Sequence, residues 1–129
     1  MTAYETIQFE PPAPIAHVTL RNPNTGVEWS DVPMLLDTGS DVTLIPTEVL
    51  SLLGISTIPD IEYEMLAFDG GPSRSAVVQL DLIFCRRTFH GQYLLINEPH
   101  SIIGRNVLNM VPILLDGPNL RWDEYRPTR

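Results

Sequence analysis

One carboxylate in this chain sits in a setting suited to chemistry. Residues 34–40 read Met34-Leu35-Leu36-Asp37-Thr38-Gly39-Ser40. A short apolar run delivers Asp37 into a tight turn. Leu35 and Leu36 would keep its surroundings dry. Gly39 lets the backbone turn sharply and leaves its N–H free to meet the carboxylate. Ser40 can donate to the outer carboxylate oxygen, which favours the ionised form. The same residues also suit an ordinary Asx turn after a strand, so context has to decide. The motif occurs once.

Composition limits what that context can be. The chain has 129 residues, 43% of them apolar, enough to bury a core in one domain. No run approaches the roughly 18 apolar residues of a membrane helix. The first residues carry neither a basic segment nor an apolar core of a signal peptide, so the expected location is cytoplasmic, with no membrane partner. Net charge is −8, and all eight basic residues are Arg. With no basic cluster beyond Arg86-Arg87, binding to nucleic-acid phosphates is not expected. Cys85 is the single cysteine, so no intrachain disulfide can form. It follows Leu82-Ile83-Phe84 and reads as a buried strand residue, not a catalytic thiol. His17 and His90 lie in strand patterns without metal-binding partners, and no metal site is expected.

The elements that must position Asp37 are mostly strands. Residues 15–21 alternate as a strand, Asn22 to Gly26 form a turn cluster, and Val27-Glu28-Trp29 starts the return. Residues 32–36 lead into the Asp37 turn and 42–45 leave it. Thr47 reads as the N-cap of a short helix over 48–53, closed by Gly54. Residues 61–68 and 75–84 flank Asp69-Gly70-Gly71-Pro72 as a glycine-tipped hairpin, and 89–96 make another strand. Residues 101–103 run into Gly104, and 105–110 suggest a second short helix. Residues 111–115 and 119–122 read as a closing hairpin around Asp116-Gly117-Pro118. Turn signals every 8–15 residues suit a compact all-β barrel. Pro11-Pro12-Ala13-Pro14 suggests a stiff extended N-terminal arm over 1–14, ahead of a domain spanning 15–125.

A second motif then gives the first one meaning. Ser101-Ile102-Ile103-Gly104-Arg105-Asn106-Val107-Leu108 closely resembles the segment after the last core strand of retropepsins, the retroviral-type aspartic peptidases. The order Asp-Thr-Gly, glycine-tipped hairpin, Ile-Ile-Gly-Arg-Asn is similar to that family over about residues 15–115. The resemblance implies a single-lobe acid-protease barrel with one or two short helices, acting as a homodimer. It implies endopeptidase activity on peptide or protein substrates, with no metal or other cofactor. Two carboxylates about 3 Å apart would share a proton and hold a water between them. One would take the proton of the attacking water, and the other would donate to the scissile carbonyl. Because this chain supplies one Asp37, the resemblance places the site on a two-fold axis.

Further roles follow from the resemblance alone. Thr38 would bond its symmetry mate, and Gly39 would approach substrate. Asp41 would touch substrate backbone and pair with Arg105, which would act mainly as a fold brace. Residues 66–75 would be the flap, closing over substrate, with Phe68 alongside and Gly70 and Gly71 at the tip. Leu35, Leu44 and Ile102 would form apolar pocket walls, and His100 would lie in a pocket-lining loop.

Two departures from the family bear on function. Ser40 stands where viral enzymes more often have Ala, so a bond to the carboxylate is expected to shift activity toward acid. The chain also continues about twenty residues past Met110. Residues 111–123 are expected to pair with their symmetry mates, burying Leu114, Leu120 or Trp122, as in cellular and bacterial relatives. The competing reading is a dimeric binding or scaffold module of the same fold with little proteolytic activity. An intact Asp-Thr-Gly-Ser favours the enzyme, because a scaffold has no chemical need for it.

Overall fold

A computed structural model describes residues 1–66, 72–98 and 100–127. Ten strands and two short helices follow one another: β1 (Thr2–Ala3), β2 (Ile15–Arg21), β3 (Glu28–Leu36), β4 (Leu44–Pro46), α1 (Val49–Leu53), β5 (Glu62–Leu66), β6 (Pro72–Phe84), β7 (Arg87–Ile96), β8 (Ser101–Ile103), α2 (Arg105–Leu108), β9 (Ile113–Asp116) and β10 (Arg121–Glu124). No helix among the described residues is long and apolar enough to cross a membrane.

The larger sheet runs β2-β3-β8-β4-β7-β6-β5, and an added β2–β6 pairing closes its first six strands into a barrel. Alternation does the sorting. In β2, Ala16, Val18 and Leu20 point inward, whereas His17 is exposed. Met34 and Leu36 of β3, Ile45 of β4, Leu80 and Leu82 of β6 and Ile103 of β8 join them in one core. β2 and β3 lose register between Val18 and Leu20, and Asp31 there has φ 58. That bulge bends the pair enough for β2 to reach β6 as well.

Strand order carries the functional consequence. β3 and β4 are consecutive in sequence but not neighbours in the sheet, because β8 is inserted between them. It runs parallel to β3 (Leu35↔Ile102) and antiparallel to β4 (Leu44↔Ile102). The connection over residues 37–43 must therefore cross the end of β8, where Gly104 lies.

Several local expectations need correction. Glu48, not Thr47, is the N-cap of α1, and no side chain caps it. Asn22, expected simply as a turn residue, is buried and donates through Nδ2 to Leu53 O at 2.9 Å, satisfying a carbonyl at the end of α1. Cys85 is not within a strand. Cys85 and Arg86 have φ 52 and 61 and form the two-residue tip joining β6 to β7. Left-handed φ at both central positions is what a tight hairpin needs, although Asn-Gly is its usual sequence signal. Cys85 is half-buried, and burial with nearby Glu124 pushes its thiol up to about 11.

The N-terminal stretch is not an extended arm. β1 pairs with β10, matching Thr2 with Trp122 and Ala3 with Arg121. Glu5 and Ala13 then exchange backbone bonds of 2.8 and 3.1 Å, closing residues 5–13 into a loop. Glu5 Oε1 accepts from the N–H groups of Ile7 and Gln8, both at 2.9 Å. That local carboxylate turn folds the chain back despite three nearby prolines.

The closing hairpin docks through Trp122. Its indole N–H donates to Ile15 O at 3.1 Å, and its ring centroid lies 6.0 Å from that of Phe84. Trp122 is 6% exposed within one protomer, so it is not free for an interface, as the sequence had suggested it could be. Leu114 and Leu120 do remain exposed, joined by Leu115 and Met110.

Candidate active site

Backbone bonds tie the turn carrying Asp37 to the end of β8 and close it on itself. Asp37 N–H donates to Ile103 O at 3.0 Å, and Ser40 N–H to Asp37 O at 3.2 Å. Gly39 N–H donates to Asp37 Oδ1 at 2.9 Å. A Cβ on Gly39 would sit 3.2 Å from that same oxygen, so a side chain there would crowd the carboxylate. Asp37 is half-buried, and Thr38 and Gly39 are exposed. The turn thus presents its carboxylate outward from a fixed base.

Three residues fix that base from below. Gly104 passes so close under the loop that a Cβ would lie 2.0 Å from Val42 O and 3.0 Å from Ser40 O. Its N–H donates to Thr43 Oγ1 at 3.0 Å, and Thr43 in turn donates to Asn106 Oδ1 at 2.7 Å. Thr43 is 1% exposed, so this chain is shielded from water. Arg105 N–H donates to Ser40 O at 2.8 Å. Sequence reasoning assigned no role to Thr43 or Asn106. The Asn of Gly-Arg-Asn was a visible signal, but its partner lies 63 positions away.

Two assigned contacts are not made. Arg105 does not pair with Asp41: among the described residues no ion pair joins them. Its Nη1 instead donates to Thr38 O at 2.7 Å. Arg105 still braces the Asp37 turn, through a carbonyl, and Asp41 is left exposed. Ser40 does not donate to Asp37. Its Oγ donates to Val42 O at 2.7 Å and accepts from Val42 N–H at 3.3 Å. A hydroxyl has one proton, and here it secures the loop.

The apolar residues named for the pocket fall together. Leu44 packs with Val77 and Leu94 in a small cluster separate from the barrel core, with Ile102, Val42, Ile58 and Ile96 against it. Leu35 pairs with Ile102 across β3 and β8. Leu35 lies two residues before Asp37, on the side of β3 opposite buried Met34 and Leu36. His100 is half-buried against Phe9, ring centroids 4.4 Å apart. Phe68, Gly70 and Gly71 lie outside the described residues, between the Leu66↔Pro72 pair that ends the β5–β6 ladder. A concavity of about 560 Å³ along residues 57–64 does not include Asp37. It is lined by Asp60, Glu62, Glu64 and Arg74 and holds none of the residues that build the Asp37 turn.

A second carboxylate is treated differently. Asp81 of β6 is 3% exposed and is flanked in register by Arg21 of β2 and His90 of β7. Arg21 donates to Oδ2 from Nε at 3.2 Å and Nη2 at 3.0 Å, and His90 Nδ1 lies 2.5 Å from Oδ1. Burial pushes its carboxyl up, but the bonds from His90 and Arg21 together outweigh that and hold it below the ordinary 3.8. Nearby Tyr93 donates to Phe89 O at 2.8 Å, and burial beside Asp81 raises its hydroxyl to about 12. No group of three or more His, Cys, Asp or Glu among the described residues could hold a metal ion.

This fold and turn define an aspartic peptidase of the single-lobe kind. A family model described as aspartyl protease matches residues 24–107, and the chain belongs to that family. Among solved structures, EIAV protease complexed with the inhibitor HBY-793 superposes with a TM-score of 0.56. The two share 21% identity over 76% of this chain and 86% of that chain, a likeness of fold. No curated protein matches the chain. The chain is therefore a retropepsin-like aspartic endopeptidase by family and fold.

Proposed function

We propose that the working unit is a homodimer that hydrolyses peptide bonds between two Asp37 carboxylates facing each other across a two-fold axis. The observation that carries this reading is the half-built state of the site. Each chain has one Asp-Thr-Gly turn, rigidly held from below, and within the protomer the side-chain hydrogen bond Asp37 makes is from Gly39 to Oδ1. Its other oxygen is left for a partner. Thr38, exposed beside it, is available to bond its symmetry mate.

In such a pair one carboxylate is ionised and the other protonated. The ionised group takes a proton as water attacks the scissile carbonyl, while the protonated group donates to the carbonyl oxygen. Leu35, Leu44 and Ile102 support apolar subsites, and Asp41 is free to meet substrate backbone. The flap role of Phe68, Gly70 and Gly71 belongs to the same proposal. The carboxylates must share one proton, so activity falls once both are ionised, and the Ser40 bond expected to draw that window toward acid is not made. Ser40 contributes through the loop rather than through the carboxylate.

The dimer contact follows from the free edges. β10 is flanked by β1 and β9, so β9 offers its outer edge and exposed Leu114 and Leu115 to a second copy. Leu114→Arg should lower the mass seen by ultracentrifugation to that of one chain and abolish cleavage together. A persistent dimer would refute this contact.

The deciding experiment is proteolysis of a denatured protein across pH, wild type against Asp37→Asn, with mass measured on the same samples. Cleavage lost in Asp37→Asn with the dimer retained supports the enzyme. Equal behaviour of the two at every pH refutes it in favour of a dimeric scaffold.

A further inference from the structure

We infer that the N-terminal loop, residues 5–13, builds an additional substrate subsite, with Phe9 as its specificity-determining residue. The inference rests on the peptidase reading and deepens it. A cavity of about 410 Å³ lies under this loop, with Phe9, His100, Ile15, Pro33 and Leu35 among its lining. Phe9 and His100 form one side, ring centroids 4.4 Å apart and inclined at 40°.

Three observations connect this cavity to the catalytic turn. Leu35 lines the cavity and stands on β3 two residues before Asp37, which opens the turn. Pro33 and Leu35 share one face of β3, and their register partners His17 and Ile15 line the same cavity. The cavity therefore continues the face from which Asp37 projects. At roughly 3.3 Å per residue, it would receive a side chain about two to four residues from the scissile bond of an extended substrate.

The loop is built to hold its shape. The Glu5–Ala13 bridge closes it, and Glu5 Oε1 fixes the turn that presents Phe9. Glu5, Gln8 and Ser101 line its polar part, and the rings of Tyr4, Phe9 and His100 with Ile15 and Leu35 favour an aromatic or large apolar side chain, which gains area and offset ring contacts. Phe9 lies outside the region of the family match, residues 24–107.

The test uses full-length protein and fluorogenic peptides that differ only by Phe or Ser at one position, two to four residues from the scissile bond on either side. Wild type should prefer Phe at one position by about tenfold in kcat/KM. Phe9→Ala should bring that ratio below about threefold, and Phe9→Leu should recover part of it. An unchanged ratio in Phe9→Ala overturns the inference, as does a uniform fall for all peptides with a lowered Tm, which marks a purely structural residue. A uniform rise for all peptides also overturns it, since the loop would then be a strap over the cleft. If wild type cleaves none of them, the peptidase reading fails separately. Fluorescence anisotropy of the same peptides on Asp37→Asn protein then decides: a Phe preference that vanishes with Phe9→Ala supports the subsite, and no preference overturns it.

Discussion

Asp81 lies on β6 of the barrel and Asp37 in the turn that follows β3, and their surroundings are opposite in kind. Asp81 is buried, with two hydrogen bonds from Arg21 and a third contact from His90. Asp37 is half-buried, with Gly39 on one oxygen and, among the described residues, no ion pair. A buried carboxylate held by three donor contacts stabilises a fold but cannot readily exchange a proton. One left partly open can. The stronger electrostatic site is thus the buried one, and the proposed catalytic carboxylate sits in the sparser one.

The comparison can be broken most directly at Asp37. Asp37→Asn should cut peptidase activity by about a thousandfold or more, while leaving stability within about 0.5 kcal/mol of wild type. A large fall in Tm would mean that Asp37, too, is a structural carboxylate. Asp81→Asn should do the reverse, costing about 2 kcal/mol in chemical denaturation with cleavage retained at permissive temperature. The figure is kept low because Arg21 and His90 both reach solvent and would be partly rehydrated.

The pH dependence of that loss sharpens the point. The folded carboxyl of Asp81 lies below its ordinary 3.8, so its stabilisation is fully present above that value. It is lost as pH falls through the lower folded value. The Tm gap between wild type and Asp81→Asn should therefore close in that acid range and reopen above it. A gap that widened toward acid would contradict the direction of the shift.

Smaller effects test what supports each site. Thr43→Val removes the hydroxyl shared by Gly104 and Asn106 without changing shape much. It should cost about 1–2 kcal/mol and lower kcat more than it raises KM, because the catalytic turn loses its base. His90→Gln should be the mildest change, under about 1 kcal/mol by denaturation, since the ring is 72% exposed and Arg21 remains.

Much of the fold was legible because alternation and turn chemistry are local. The strand over 15–21, the Gly54 helix end and the Asp116-Gly117 hairpin can all be read within a few residues. Cys85 shows the limit. Its turn needs left-handed φ at two residues that do not advertise it, and the β6–β7 pairing imposes the geometry. The N-terminal loop shows another. Four residues with three prolines suggest a rigid arm, but Glu5 capping two backbone N–H groups folds it back.

The sequence by itself determined the chemistry on offer. One Asp-Thr-Gly-Ser turn and one Ile-Ile-Gly-Arg-Asn segment, in that order, specify the catalytic class because both are contiguous and each residue type is tied to a local backbone need. Tertiary structure alone decided who holds whom. Ser40, Arg105 and Thr43 each have several partners within reach in principle, and a hydroxyl proton or a guanidinium is committed only once. Inserting β8 between β3 and β4 brings residues more than sixty positions apart into hydrogen-bond distance. That placement gave Arg105 to Thr38, and Thr43 to Gly104 and Asn106, while Ser40 turned to Val42 two residues on, leaving Asp37 without a bond from it.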